Sequence, residues 1–144
     1  VITKLIHLIT KNDVVAIDVS DEMIKIAKEK YKNCSYATFK NIDLFSLDEK
    51  NKYDFAIIYN AYPHFLDPVK LSNKLYDILK EDGSFAIIHS MSREKLNQHH
   101  GNVNHNVCRD IAELNDEIKY FTDNFDIVLL KEDNNSIIIK GNKR

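Results

Sequence analysis

The sequence predicts an α/β fold: a doubly wound, mostly parallel sheet that ends in an antiparallel hairpin. Three observations predict it. Short apolar runs rich in β-branched residues, at 14–17 (VVAI), 54–59 (DFAIIY) and 85–88 (FAII), have the pattern of strands buried on both faces of a parallel sheet. Amphipathic stretches with helical spacing lie between them. Two further strand-like runs, at 125–130 and 136–140, flank the turn formers Asp133, Asn134 and Asn135 and should pair as a hairpin.

Each element has a local reason. Ile2, Leu5, Ile6 and Ile9 follow the spacing i, i+3, i+4, i+7 and mark the apolar stripe of an opening helix. Lys11, Asn12 and Asp13 read as a turn, and the strand at 14–17 ends at Asp18. Ser20 is a good N-cap for the next helix, with Asp21 and Glu22 opposing the positive end of its dipole. Met23, Ile24, Ala27 and Tyr31 are expected on its buried side. A strand at 35–40 places Tyr36, Thr38 and Lys40 on one face and Ala37 and Phe39 on the other, and it ends at Asn41, Ile42 and Asp43.

After the strand at 54–59, Asp67 caps a helix that has Pro68 in its first position, where the missing N–H costs nothing. Leu71, Leu75, Ile78 and Leu79 form its stripe, and Asp82 and Gly83 should stop it. Residues 91–106 have no dominant period and read as a loop with a short helix across 93–99. Ile111, Leu114, Ile118 and Phe121 mark the last helix. No internal repeat or linker is visible, so residues 1–144 are expected to form a single domain.

Composition narrows the function classes. Apolar residues make up 44% and charged residues 29% of the 144, the balance of a soluble globular protein. A formal charge of -2 gives no general basic field for a phosphate backbone, so nucleic acid is not an expected partner. No apolar stretch approaches the roughly 20 residues of a spanning helix, and the start does not resemble a signal peptide; a cytoplasmic, membrane-free protein is expected. Cys34 and Cys108 lack metal-ligand spacing and read as plain thiols. The only glycines are Gly83, Gly101 and Gly141, so no phosphate-cradling glycine loop is present.

In an open α/β sheet, ligands bind beyond the carboxyl ends of the strands. Here those tips are Asp18, Asp43, Asn60 and Ser90. A carboxylate that ends an apolar strand just before a capped helix is poised to accept hydrogen bonds from both ribose hydroxyls, which makes Asp18 the sharpest candidate. A plain turn aspartate is the alternative. Asp43 invites the same alternative, against a role accepting from an adenine amino group.

Several segments together resemble class I S-adenosylmethionine-dependent methyltransferases. Residues 14–31 (VVAIDVSDEMIKIAKEKY) are similar to their second strand and following helix, and 41–47 (NIDLFSL) to their third-strand acidic turn. Residues 53–65 (YDFAIIYNAYPHF) resemble their fourth strand, and 79–90 (LKEDGSFAIIHS) the approach to their fifth. The pair NAYPHF and HSMSREKLNQHH resembles a bacterial subgroup of that family. The resemblance covers nearly the whole chain and implies a Rossmann-like fold with S-adenosylmethionine as cofactor.

Carried over residue by residue, it implies that Asp18 binds the ribose hydroxyls, with Val19 beside it and Met23 against the adenine. Asp43 and the Ile42 backbone would recognise the adenine edge. Asn60 and Ala61 would approach the methionine part. An ordinary core methionine is the alternative for Met23. The family's first strand and GxGxG loop are expected immediately before Val1 and are absent from these residues. In that fold the strand lies between those ending at Asp18 and Tyr59, so two interior edges should lack partners and the 144 residues alone should be unstable.

Methyl transfer from a sulfonium needs alignment more than covalent catalysis, so a base is optional. If the acceptor must lose a proton, His64 and His89 are the candidates, each with a packing or loop histidine as the alternative. Residues 60–63 (NAYP) resemble the Asn-Pro-Pro-Tyr turn of nucleic-acid amino-methyltransferases but do not match it, since the prolines and aromatic are misplaced. His99, His100 and His105, with Cys108, match no usual zinc spacing, and no metal is expected. Ser92 and Arg93 fit a helix cap and a surface arginine as well as an acidic ligand; Tyr62 is a candidate pocket residue and Tyr59 a core one. A small-molecule acceptor is the expected partner, and self-association stays open. An NAD-dependent oxidoreductase would use Asp18 in the same ribose role, and a non-catalytic binding domain with a degenerate fold is a third class.

Overall fold

Short-range chemistry sets many of the element boundaries in the computed structural model, which describes residues 2–100 and 107–144. The chain divides into two compact units, Val1–Asp48 and Glu49–Arg144. In the first, helix α1 (Thr3–Thr10) leads into strand β1 (Val14–Asp18), helix α2 (Asp21–Lys30) and strand β2 (Ala37–Asn41). Ser20 caps α2 as expected, its Oγ accepting from the Met23 N–H at 3.2 Å. β1 and β2 pair in parallel, with Asp18 opposite Asn41.

Burial in this unit departs from the periodicity. Leu5 and Ile9 of the α1 stripe are 55% and 71% exposed, so that stripe is largely uncovered within the described residues. β1, expected to be buried on both faces, is only half-buried along 14–17. On α2, Ile24 is buried but Met23 is exposed, so Met23 leaves the expected buried side. Periodicity reports which face is apolar, not whether anything covers it.

The second unit is built on strands β3 (Tyr53–Tyr59), β4 (Leu79–His89), β5 (Phe125–Glu132) and β6 (Ile137–Lys143), in the spatial order β3-β4-β6-β5. β3 and β4 are parallel, while β4–β6 and β5–β6 are antiparallel. The expected terminal hairpin is therefore present, and its turn is closed by Asp133 Oδ1, which accepts from the Asn135 N–H at 2.7 Å. Helix α3 (Pro68–Ile78) is capped by Asp67, whose Oδ1 accepts from the Lys70 N–H at 3.0 Å, and its residues Leu71, Leu75 and Ile78 are buried.

α3 stops earlier than the sequence suggests. Leu79 already pairs with Tyr53, and the register then jumps to Phe55 opposite Ser84, so residues 80–83 bulge out of β4 instead of ending the helix. Gly83 serves that bulge, since a Cβ there would lie 2.8 Å from the Lys80 carbonyl oxygen. Helix α4 spans Arg93–His100, and the last helix is reduced to α5 (Leu114–Glu117) followed by a 3-10 turn over Ile118–Tyr120. Phe85, Phe121 and Phe125 centre the core, with Gly141 opposite Phe85 leaving room for its ring.

Neither β1 nor β3 has a ladder partner on its second edge among the described residues. The Asn60 N–H donates to the Ile88 carbonyl at 2.9 Å, and alternation along β3 then turns the N–H groups of Phe55, Ile57 and Tyr59 toward the open edge. Hydrogen exchange read residue by residue should find the amides of Ile57 and Tyr59 far less protected than those of Ile87 and Ile139 in the β4–β6 ladder. Equal protection of the two sets would show that another segment covers the β3 edge.

Candidate active site

Four strand tips carry the sequence candidates, those of β1 and β2 in the first unit and those of β3 and β4 in the second. In the first unit the Asp18 carbonyl accepts from the Ile42 N–H at 3.1 Å and from Asn41 Nδ2 at 3.0 Å, which closes the carboxyl end of the β1–β2 ladder. The same residue's Oδ1 accepts from the Ser20 N–H at 2.8 Å. That bond fixes the side chain against the start of α2 and leaves Oδ2 without a donor among the described residues. Asp18 is exposed, and so are its apolar neighbours Val19 (71%) and Met23 (55%). An anchored carboxylate beside uncovered apolar side chains suits a ligand with hydroxyl donors and a flat apolar part.

The β2 tip is more committed. Asp43 Oδ1 accepts from the Phe45 N–H at 2.8 Å and caps a 3-10 turn over Leu44–Ser46, and the Ile42 N–H is spent on Asp18. A nucleobase contact here therefore falls to Asp43 Oδ2, or to the Ile42 carbonyl and side chain.

In the second unit the chain leaves β3 through Asn60, which takes a left-handed φ of 54°. Its Oδ1 accepts from both the N–H and the Oγ of Ser90, at 2.8 and 3.1 Å, so the β3 and β4 tips are tied together. Because a backbone N–H only donates, this fixes the amide orientation and leaves the Asn60 Nδ2 donors pointing away from Ser90. Ala61, half-buried, opens a 3-10 turn over Tyr62–His64. His64 is exposed, with Nδ1 3.2 Å from the Val107 carbonyl. His89 ends β4, half-buried and opposite Ile137.

Other sequence candidates have structural duties. Ser92 caps α4 by accepting from the Lys95 N–H at 3.2 Å, and Arg93 pairs with Glu132 at 3.0 Å. Tyr59 is 39% exposed rather than core. His105 lies outside the described residues, and among those described no cluster of His, Cys, Asp and Glu can hold a metal. Cys34 and Cys108 are free thiols.

The largest feature the sequence did not reveal is a buried ionic hub. Glu117 is 0% exposed, and its carboxylate receives both terminal nitrogens of Arg109 at 2.8 Å, the Tyr62 hydroxyl at 2.6 Å and the Ala112 N–H at 2.8 Å. Arg109 also lies over the Tyr62 ring, 4.8 Å from its centroid. Burial pushes the Glu117 carboxyl up, but the hydrogen bonds from Arg109, Tyr62 and Ala112 outweigh it and hold the group below its ordinary range. Burial, and then the bond to Glu117, push the Tyr62 phenol far above its ordinary range, so it stays protonated, and its side chain is buried. A signal was available: Glu117 falls three residues after Leu114 and four before Phe121, a charge on an apolar helical face.

Removing the cation from this hub strands a buried carboxylate, so Arg109→Met should lower the free energy of unfolding by about 3–5 kcal/mol in urea titrations. A loss below about 1 kcal/mol would contradict the hub. Since the folded carboxyl is depressed, its stabilisation is complete above the unfolded value of about 4.3 and is lost as pH falls through the folded one. Stability of the parent chain should therefore decline in that acid window, and Glu117→Gln should flatten the decline.

Comparison with known proteins matches the chain to a family. A family model described as a methyltransferase domain matches residues 2–87, more than half of the chain. No curated protein sequence matches. Among solved structures, a Pyrococcus horikoshii OT3 protein is similar at 18% identity with a TM-score of 0.74, over 98% of this chain and 77% of that one. A SAM-dependent methyltransferase from Methanosarcina mazei is 16% identical with a TM-score of 0.71, over 96% and 86%. N-methyltransferase NodS from Bradyrhizobium japonicum WM9, solved with S-adenosyl-L-homocysteine, is 12% identical with a TM-score of 0.67, over 91% and 66%. These likenesses concern the fold, while the family match concerns the sequence itself. The chain therefore belongs, by its sequence, to the methyltransferase-domain family, and it has the Rossmann-like fold of class I S-adenosylmethionine-dependent methyltransferases.

Proposed function

We propose that this chain binds S-adenosylmethionine through Asp18 and transfers its methyl group to a small-molecule acceptor. The observation that carries the reading is the anchored Asp18 carboxylate: Oδ1 is held by the Ser20 N–H, and Oδ2 is left for a donor such as a ribose hydroxyl. Exposed Val19 and Met23 support an adenine lying alongside, with Asp43 Oδ2 within the same strand-end rim. At the β3 tip of the second unit, Asn60 Nδ2 and the Ala61 backbone are polar groups of the kind an amino acid moiety binds.

S-adenosylmethionine brings an activated methyl on a sulfonium, so the protein's task is alignment and, where needed, proton removal. His64 suits the second task. A carbonyl only accepts, so its Nδ1 carries the proton donated to Val107, and the neutral ring bears its lone pair on Nε2. His89, on the strand itself, is the second candidate.

Calorimetric titration with S-adenosylhomocysteine and with NAD tests the reading. Heat with the first and not the second supports it; the reverse makes the chain a dinucleotide-binding protein; silence from both leaves a non-catalytic domain. Asp18→Ala should weaken S-adenosylhomocysteine by about 1.5–3 kcal/mol, the usual scale for hydrogen bonds to a charged group. Unchanged affinity in that variant would remove the ribose assignment.

A further inference from the structure

Three contacts converge on His64 from a segment with no assigned role. The Arg109 N–H donates to the Pro63 carbonyl at 3.0 Å, Arg109 Nε donates to the Phe65 carbonyl at 3.2 Å, and the Val107 carbonyl accepts from His64 Nδ1 at 3.2 Å. The carbonyls of Pro63 and Phe65, the residues on either side of His64, and the His64 ring are thus held by residues two positions apart. Tyr62, two positions before His64, is held as well, because its hydroxyl and the Arg109 guanidinium share the Glu117 carboxylate. That carboxylate is wholly buried, so the shared acceptor is a fixed point that solvent does not loosen.

We infer that Arg109 and Glu117 are positioning residues for methyl transfer: they hold the Val107 carbonyl against His64 so that Nε2 faces an acceptor that must give up a proton. This rests on the methyltransferase reading above. It also names the acceptor chemistry, an ammonium or hydroxyl group that loses its proton as the carbon bond forms. Nε2 would take that proton, the electron pair left on nitrogen or oxygen would form the bond to the methyl carbon, and the carbon–sulfur bond would break with its electron pair kept by the sulfur, which leaves as a neutral thioether. Acceptors that are already anionic would not use this device.

A merely structural hub would stabilise the fold without choosing a tautomer. Here the tautomer is dictated, since only an Nδ1–H can donate to Val107. Free histidine prefers its proton on Nε2, so the two cases differ in sign.

Nitrogen-15 spectra of the histidine-labelled chain in alkaline solution, where imidazoles are neutral, read this directly. The unmodified chain should show His64, assigned by its absence in His64→Gln, protonated on Nδ1. Arg109→Lys keeps a cation for Glu117 but cannot bridge it to Phe65, and it should move His64 toward the Nε2–H form. An Nε2–H form in the unmodified chain would overturn the inference without any variant having to fold. So would an Nδ1–H signal unmoved in a folded Arg109→Lys protein. S-adenosylhomocysteine titrated into the same sample separates the two failures: silence there overturns the methyltransferase reading on which the assignment rests, whatever the tautomer.

Discussion

The Ser20 N–H, donating to the Asp18 carboxylate at 2.8 Å, joins the end of a strand to the start of a helix. The Asp18 carbonyl meanwhile takes both the Ile42 N–H and the Asn41 side chain, so one residue closes the β1–β2 ladder and aims its acid at the rim. A carboxylate tethered at one oxygen loses little further rotamer freedom on binding, which favours a ligand that can donate to the other. Remove the tether and the same acid becomes an ordinary mobile turn residue.

The second unit solves a different problem by similar means. Its tip must hold a short turn with a left-handed residue, Asn60, and a buried tyrosine. Asn60 is fixed by Ser90, and Tyr62 by a carboxylate that also binds Arg109 at two points. A buried ion pair is weak evidence for net stability, because desolvation offsets much of the attraction. What four donors on one carboxylate provide is geometry: breaking any of them leaves a buried charge under-satisfied, so the turn has one arrangement rather than several.

Features decided by neighbouring residues were legible in the sequence. The caps at Ser20 and Asp67, the Asp133 turn and the terminal hairpin depend on side chains within a few positions of the groups they satisfy. The Asp18 tip was legible for the same reason, as an acid between an apolar run and a cap. Burial was less so: Leu5, Ile9 and Met23 have helical periodicity yet lie exposed, because periodicity does not say what packs against a face. The end of α3 was misplaced because Leu79 is both a plausible helix residue and a strand residue, and its pairing with Tyr53 decided the matter. The Arg109–Glu117–Tyr62 hub joins residues up to 55 positions apart, and only the acid on an apolar helical face hinted at it.

The central claim concerns Asp18, and a crystal structure of the chain grown with S-adenosylhomocysteine measures it most directly. The account predicts a ribose hydroxyl about 2.7 Å from an Asp18 carboxylate oxygen, with the Ser20 bond intact. A nucleoside bound elsewhere, with the Asp18 carboxylate facing only water, would contradict it.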